Sequence, residues 1–210
     1  MKLSVSFLSV KDSISKSIDE INHTTSDFIH LDIMDNVFVG EKTMPINEMA
    51  NVLVNNKKPL DIHLMVSDIY TYIDMYKDFS PAYITFHYEA DTDIIKIINY
   101  IKSYNIKVGL SIKPNTDIEV LTPYLNMVDL VLLMSVEPGL GGQAFIDSTS
   151  NKIIGLKQLK AITNTNFLIE VDGGINDQTI SSCKGSDIVV VGSFITNSDN
   201  YQLAINKLKL

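Results

Sequence analysis

Short apolar runs alternate along the chain with longer segments in which apolar residues recur every three or four positions. The short runs are nearly continuous in valine, isoleucine and leucine, which is typical of parallel strands covered on both faces. The longer segments have the period of amphipathic helices. The pattern predicts strands at residues 3–8, 28–34, 60–66, 83–88, 106–112, 128–134, 167–172 and 187–192. Predicted helical segments between them include residues 13–22, 45–56, 68–79 and 91–105.

Eight strand–helix units in succession predict an α/β fold, a single-domain (β/α)8 TIM barrel, with an open doubly wound sheet as the alternative. The 210 residues fall below the roughly 250 that are typical of such barrels, so we expect short loops. No linker-like tract or charge run divides the chain. We therefore expect one catalytic domain over residues 1–210.

The charge pattern restricts the partners. The net charge is −8, and all 17 basic residues are lysine. Because nucleic acids are bound by clusters of basic residues, and the chain has none, we expect no nucleic-acid partner. Without arginine, a bound phosphate has to be held by lysine or by backbone amides.

The cysteine content and the apolar segments bear on location. Cys183 is the single cysteine, so no internal disulfide can form and a reducing compartment is expected. The opening run MKLSVSFLSV reads as a first buried strand rather than a signal peptide. No segment approaches the ~20 apolar residues of a membrane helix. These features predict a cytoplasmic protein without a membrane partner.

Polar residues whose burial costs free energy lie inside three predicted strands. Alternate side chains in a strand share a face. On the second predicted strand one face carries His30, Asp32 and Met34, and on the third it carries Asp61, His63 and Met65. On the seventh predicted strand one face carries Glu170 and Asp172. If these faces look into the barrel, two histidines and two aspartates converge near its mouth. Such a set suits one divalent ion of zinc, manganese, iron or cobalt. A metal would also compensate the cost of burying the charges.

Each of these residues has an ordinary interpretation as well. A single buried histidine is commonly a hydrogen-bonded core residue, and an aspartate at a strand end is commonly a helix cap. The polar residues occupy alternate positions on all three strands, and this shared spacing favours the metal site. We expect His87 and Glu89, at the end of the fourth strand, to support the site from behind at most, and Glu170 to lie deeper in the barrel.

Three loops after the last strands are rich in glycine: residues 136–143, 172–176 and 191–193. Glycine lets the backbone approach a ligand closely, and successive amides can hold an anion. Barrels often bind phosphate with the last two of these loops. Met34, Met65 and Met134 each end a strand and either fill gaps in the core or line the pocket.

Taken together, these segments resemble the ribulose-phosphate 3-epimerase family. The matching stretches occur in family order between residue 4 and about residue 196: SFLS, HLDIMD, VFV, DIHLMV, ITFHYEA, VGLSIKP, MSVEPGLGGQ, EVDGGI and VGS. The ordered combination covers nearly the whole chain and is far more specific than any one motif. The resemblance implies a metal-dependent isomerase that acts on a phosphorylated ketose and commonly forms homo-oligomers.

The resemblance also implies roles for individual residues. His30, Asp32, His63 and Asp172 would bind the metal. Asp32 would remove the C3 proton of a ketose phosphate, and Asp172 would return one from the opposite face. The residues on the family's substrate and phosphate positions are Ser6, His63, Gly139, Leu140, Gly141, Gly142, Gly173, Gly174, Gly192 and Ser193.

Some positions depart from the family pattern. Asn36 and Gly40 stand where the family usually has glycine and proline, Lys113 replaces a common asparagine, and residues 184–186 replace a small-residue stretch. None of these is a metal or acid–base position, so they bear on the choice of substrate. The expected pair is D-ribulose 5-phosphate and D-xylulose 5-phosphate, with a D-allulose 6-phosphate 3-epimerase or another ketose-phosphate epimerase as the alternative.

Two further hypotheses receive less support. Barrels of the orotidine-monophosphate decarboxylase type carry a D-x-K-x-x-D pattern, but Ile33 and Met34 follow Asp32 here and no lysine is present. A non-catalytic paralogue that only binds sugar phosphate would typically have lost a metal or acid–base residue. This chain retains all four.

Overall fold

A computed structural model describes residues 1–10, 13–90 and 93–208, and within these ranges eight parallel strands close into a barrel. Each strand pairs with its neighbours in chain order, and the last pairs with the first. The closed barrel confirms the predicted fold and rules out the open sheet. The strands are β1 (Lys2–Ser6), β2 (Phe28–Met34), β3 (Leu60–Met65), β4 (Tyr83–His87), β5 (Lys107–Ile112), β6 (Leu130–Met134), β7 (Leu168–Asp172) and β8 (Ile188–Val191).

Helices connect most of the strands on the outside of the barrel. In the described ranges these are α1 (Ile14–Asn22), α2 (Ile46–Leu53), α3 (Ile69–Tyr76), α4 (Ile94–Lys102), α5 (Thr149–Thr163), α6 (Ser193–Thr196) and α7 (Tyr201–Lys207). The four helical segments predicted above contain α1 to α4. Asp91 and Thr92, at the start of the segment 91–105, lie outside the described residues.

Two of the connections differ from the regular pattern. The chain passes from β5 to β6 through the 3₁₀-helix Ile118–Tyr124, and from β7 to β8 through the 3₁₀-helix Ile180–Cys183. Pro123 lies inside the first of these and lacks the N–H that a continuing α-helix requires. Shorter 3₁₀-helices, Lys77–Phe79 and Tyr88–Ala90, follow α3 and β4.

The helices attach to the barrel by one apolar face each. In α4, Ile94, Ile97, Ile98 and Ile101 are buried, at the spacing that places them on one side of a helix. Side chains cap several N-termini: Asp68 Oδ1 accepts from Thr71 N–H on α3, and Asn200 Oδ1 accepts from Leu203 N–H on α7.

The strands separate an apolar outer layer from an inner wall that carries the polar residues of the site. On β2, Ile29, Leu31 and Ile33 are fully buried in the layer between barrel and helices, so His30 and Asp32 face inward. Asp32 is aligned with His63 of β3, and Met134 of β6 with Asp172 of β7. The pairing therefore brings the polar positions of different strands to the same level.

The barrel interior holds both polar and apolar side chains, which are aligned on neighbouring strands: Ser4 with Phe28, Asp61 with Tyr83, and Glu170 with Ile188. Phe28, Tyr83, Leu130, Leu132 and Ile188 belong to a second apolar cluster, separate from the outer layer. The buried polar residues of the strands include Ser4, Asp61, Thr85, Ser111 and Glu170. Among the described residues, no helix has the length and apolar character needed to cross a membrane.

Candidate active site and metal centre

Four polar side chains from β2, β3 and β7 meet at the carboxyl end of the barrel. His30 Nε2 lies 3.4 Å from Asp32 Oδ1, and His63 Nδ1 lies 3.3 Å from the same oxygen. Asp172 Oδ2 lies 3.9 Å from His63 Nδ1. One donor atom from each of these residues lies within 4.8 Å of all the others. The predicted convergence of the four side chains is therefore present.

The geometry of this cluster fits a divalent metal. Donors held about 2.1 Å from one ion in a tetrahedron are separated from each other by about 3.4 Å, which is close to the distances above. His30 Nε2 is fully buried and has no hydrogen-bond partner among the described residues. An unpartnered buried nitrogen is costly, and a metal ion would satisfy it.

Asp61 holds the other side of the His30 ring. Its Oδ2 lies 2.7 Å from His30 Nδ1 and also accepts a 2.8 Å hydrogen bond from Ser4 Oγ. This contact fixes the ring so that Nε2 faces the cluster. Glu170 lies beneath, fully buried, and both of its oxygens lack a hydrogen-bond partner in the described part of the chain. Burial and the charge of Asp61 raise the pKa of Glu170 well above its ordinary value.

The two aspartates of the cluster differ electrostatically in the absence of an ion. Burial opposes ionisation of Asp32, but the adjacent His30 and His63 together outweigh it and lower the pKa of Asp32 well below its ordinary value. Burial, reinforced by the negative charge of Asp32, raises the pKa of Asp172 to about 6. The neighbouring carboxylates Asp61 and Asp32 overcome the effect of burial on His30 and raise its pKa well above the usual range.

A cleft opens above the cluster. Asp32 and Asp172 line it, whereas His30 and His63 are buried beneath. Ser6, predicted to touch substrate, lines the cleft and donates a 2.7 Å hydrogen bond to Asp32 Oδ2. The other predicted substrate residues on its wall are Gly139, Leu140, Gly141, Gly142, Gly173, Gly174, Gly192 and Ser193.

The three methionines that end strands do not all line this cleft. Met65 and Met134 line the cleft. Met34 lies instead beside an adjoining groove that is bounded by α1 and the loop 139–142. Strand position alone could not separate these cases, because the rim of the barrel is shared by both depressions.

Asn36 explains one departure from the family pattern. Its φ is +62°, in the left-handed region, where glycine is favoured and asparagine is tolerated. Asp35 fixes the turn: its Oδ1 accepts from the N–H groups of Val37 and Phe38, and its Oδ2 accepts from Ser67 N–H. The missing glycine thus leaves the turn intact.

Several residues near the site were not singled out from the sequence. Thr43 Oγ1 donates to the carbonyl of Asp32 and accepts from Met34 N–H, which fixes the end of β2. The Gln143 amide donates to the carbonyls of Glu137 and Leu140 and braces the loop after β6. A threonine or glutamine in a loop carries no sequence signal for such a contact.

Comparison with solved structures first identifies the class of protein. The crystal structure of KGPDC from Streptococcus mutans superposes with a TM-score of 0.68 over 99% of this chain and 95% of that one, at 14% identity. The similarity is one of fold: the protein is a (β/α)8 barrel.

The sequence comparison then gives the family. The profile of the ribulose-phosphate 3 epimerase family matches residues 2–196. A ribulose-phosphate 3-epimerase from Helicobacter pylori is 37% identical over 212 residues, covering 100% of this chain and 97% of the relative. One from Buchnera aphidicola is 39% identical over 213 residues, covering 99% and 93%. The chain belongs to the ribulose-phosphate 3-epimerase family, which confirms the predicted resemblance and its assignment to the carbohydrate epimerases.

Proposed function

We propose that this protein is a metal-dependent epimerase that inverts C3 of a ketose phosphate and interconverts D-ribulose 5-phosphate and D-xylulose 5-phosphate. One observation carries the proposal: Asp32 of β2 and Asp172 of β7 line the same cleft, and both approach His63 Nδ1. Inversion of a carbon without a redox cofactor is simplest with two proton-transfer groups on opposite sides of a planar intermediate, and this pair can provide them. The substrate named for the relatives from Helicobacter pylori and Buchnera aphidicola supports the pentulose.

The metal would be held by His30 Nε2, His63 Nδ1 and the carboxylates of Asp32 and Asp172, which form the donor cluster. When bound, a divalent ion supplies Lewis-acid stabilisation of the negative charge that develops on the substrate oxygens. Nitrogen and oxygen donors suit zinc, manganese, iron or cobalt.

The proton steps belong to the two carboxylates. Asp32 removes the proton from C3, and the bonding electrons move toward the C2 carbonyl to give a planar enediolate. Asp172 then delivers a proton to C3 from the other side, and the carbonyl reforms. The hydrogen bond from Ser6 Oγ holds Oδ2 of Asp32, so the carboxylate keeps a fixed orientation toward the cleft.

The phosphate would be bound by the backbone amides of the glycine-rich wall. Gly173, Gly174, Gly192 and Ser193 lie together on that wall, and the chain has no arginine to supply a guanidinium. Successive glycine amides can hold an anion without a charged side chain. Assembly into homo-oligomers and a cytoplasmic location also belong to the proposal, and both rest on the family.

Solvent-deuterium exchange at C3, followed by NMR, tests the activity. Metal-loaded protein is offered D-ribulose 5-phosphate and D-allulose 6-phosphate in parallel. We expect deuterium at C3 and formation of the C3 epimer from the pentulose. Turnover of the hexulose alone would contradict the substrate, and turnover of neither would contradict the activity.

Substituting Asp172→Asn tests whether Asp32 and Asp172 have separate roles in proton transfer. With Asp32 intact and the metal supplied at a concentration that saturates the variant, the C3 proton of one epimer should still exchange, while epimerisation falls by at least ~10²-fold because the second proton donor is missing. Asp78→Asn, at an exposed position, is the matched control and should leave both rates unchanged. Undiminished epimerisation by Asp172→Asn would refute the role given to Asp172.

A further inference from the structure

A line of hydrogen-bonded side chains runs from the donor cluster through the barrel wall. His63 Nε2 lies 2.8 Å from His87 Nε2 of the neighbouring strand. His87 Nδ1 in turn lies 3.2 Å from Glu89 Oε2 in the 3₁₀-helix that follows β4. Both imidazole rings are fully buried, so solvent does not compete for these contacts.

Glu89 sets the direction of the hydrogen bonds in this line. Its Oε1 accepts from Lys113 N–H, at 2.8 Å, and from the Thr116 hydroxyl. With an acceptor-only carboxylate beside it, His87 donates from Nδ1, and its Nε2 is left as an acceptor. A single hydrogen fits between the two facing nitrogens, so His63 donates from Nε2. Its Nδ1 then carries the lone pair, although Asp32 Oδ1 lies 3.3 Å from this nitrogen and, in the absence of a metal ion, competes for the same hydrogen.

The surroundings hold each member in place. The rings of Phe38 and His63 each lie 4.9 Å from the ring of His87, measured between ring centroids. Lys152 of α5 donates to the carbonyls of Pro114 and Thr116, at 2.7 and 2.6 Å. The loop that binds Glu89 is therefore itself tied to a helix, and neither the carboxylate nor the imidazole is free to rotate.

The two histidines of the cluster are held in different ways. His30 contacts Asp61 directly through Nδ1 and presents Nε2 to the cluster, whereas His63 presents Nδ1 and is supported through Nε2. A metal-binding histidine usually donates its other ring N–H directly to a carboxylate, a backbone carbonyl or water. For His63 the same role is passed through a second imidazole.

We propose that Glu89 and His87 are positioning residues that hold His63 in the Nε2–H tautomer, so that its Nδ1 lone pair is available to a metal ion. The purpose of this arrangement rests on the metal site proposed above, while the tautomer can be measured in the metal-free protein. Neither residue contacts the reacting atoms in this scheme.

Substituting Glu89→Gln should reverse the direction of the hydrogen bonds that link this residue to His87 and His87 to His63. Lys113 N–H and the Thr116 hydroxyl both require an acceptor, so the amide oxygen stays with them and the amide NH₂ faces His87 Nδ1. His87 then accepts at Nδ1 and donates from Nε2, and His63 must accept at Nε2 and carry its hydrogen on Nδ1. The nitrogen that faces the cluster loses its lone pair without any change in the size of the side chain.

Two measurements test this on protein labelled with ¹⁵N-histidine. Two-bond ¹H–¹⁵N spectra of the metal-free protein report the tautomer of each of the four histidines, and competition with a chelator reports the affinity for Zn²⁺. We expect Glu89→Gln to move the His63 hydrogen from Nε2 to Nδ1 and to weaken zinc binding by roughly 10–100-fold.

Two controls separate this effect from a general loss of structure. Glu48→Gln makes the same chemical change at an exposed position of α2, and Thr116→Val removes one contact of Glu89 but keeps its carboxylate. Both should retain the Nε2–H tautomer and bind zinc within about threefold of the wild type, since roughly tenfold is the smallest loss expected from removing a true support.

Each outcome is decisive. A His63 that keeps its hydrogen on Nε2 in Glu89→Gln would refute the direction of the line, and a reversed tautomer with unchanged zinc affinity would refute the positioning role. If wild-type protein catalyses no C3 exchange, the proposed function fails, but the tautomer in the metal-free protein still tests this inference.

Discussion

Gly174, in the loop after β7, should tolerate alanine poorly for two separate reasons. Its φ is +63°, and an L-residue in the left-handed region costs about 1–2 kcal/mol. A Cβ at this position would lie 2.8 Å from the Gln143 carbonyl oxygen and 2.8 Å from Phe145 Cα, and closer still to Phe145 N–H. These are backbone atoms, so the loop 143–145 has to move rather than a side chain rotate.

The size of the effect follows from adding these costs. Overpacking of a tight contact typically costs about 1–3 kcal/mol. Alanine also reduces the entropy of the unfolded chain, which returns about 0.4–1 kcal/mol. We therefore expect Gly174→Ala to lower the free energy of unfolding by about 1–5 kcal/mol. For a chain of this length this corresponds to a fall in Tm of about 2–20 °C.

Two other glycines separate the contributions. Gly142 has a φ of +75°, but a Cβ there would meet nothing within 4 Å, so Gly142→Ala isolates the backbone cost and should lower Tm by about 1–4 °C. Gly40 lies outside the left-handed region and is equally open. Gly40→Ala should leave the free energy of unfolding unchanged or raise it by up to about 1 kcal/mol.

Thermal and urea unfolding of the three variants, with C3 epimerisation as a second readout, checks this order. Gly174→Ala should also raise KM more than it lowers kcat, because a displaced loop 143–145 disturbs the wall of the cleft rather than the carboxylates. If Gly174→Ala were as stable as Gly142→Ala, the steric contribution would be refuted. If all three alanine variants were equally stable, the backbone argument would fail as well.

Two further predictions concern the turn after β2 and the support of His30. Asn36→Ala should lower the free energy of unfolding by about 1 kcal/mol, because φ at this position is +62°, whereas Asn36→Gly should not lower it. Urea unfolding of the two variants tests this prediction, and an equal loss of stability in both would contradict it. Asp61→Asn should weaken zinc binding by roughly 10–100-fold, since Asp61 Oδ2 contacts His30 Nδ1. Unchanged zinc affinity in a competition assay would show that this contact does not orient the ligand.

The sequence by itself determined the strands of the barrel and the polar face of three of them, β2, β3 and β7. Nearly continuous apolar runs with period-two polar positions allow few other structures, because one face must be buried under helices and the other must hold the charges. For this reason His30, Asp32, His63 and Asp172 could be placed together before any coordinates were known. The family resemblance added the roles in metal binding and proton transfer, which the alternation of side chains along a strand could not supply.

Other features depended on contacts between residues that are distant along the chain. The period of a strand defines which face a side chain occupies, but not its rotamer or which ring nitrogen it presents. His63 meets His87 because β3 and β4 are adjacent in the closed barrel, and Lys152 reaches the loop 113–116 only once α5 packs beside it. The replacement of two α-helices by 3₁₀-helices and the position of Met34 beside the second groove were likewise decided by packing. Local patterns therefore specified which residues form the site, and barrel closure specified how each is held.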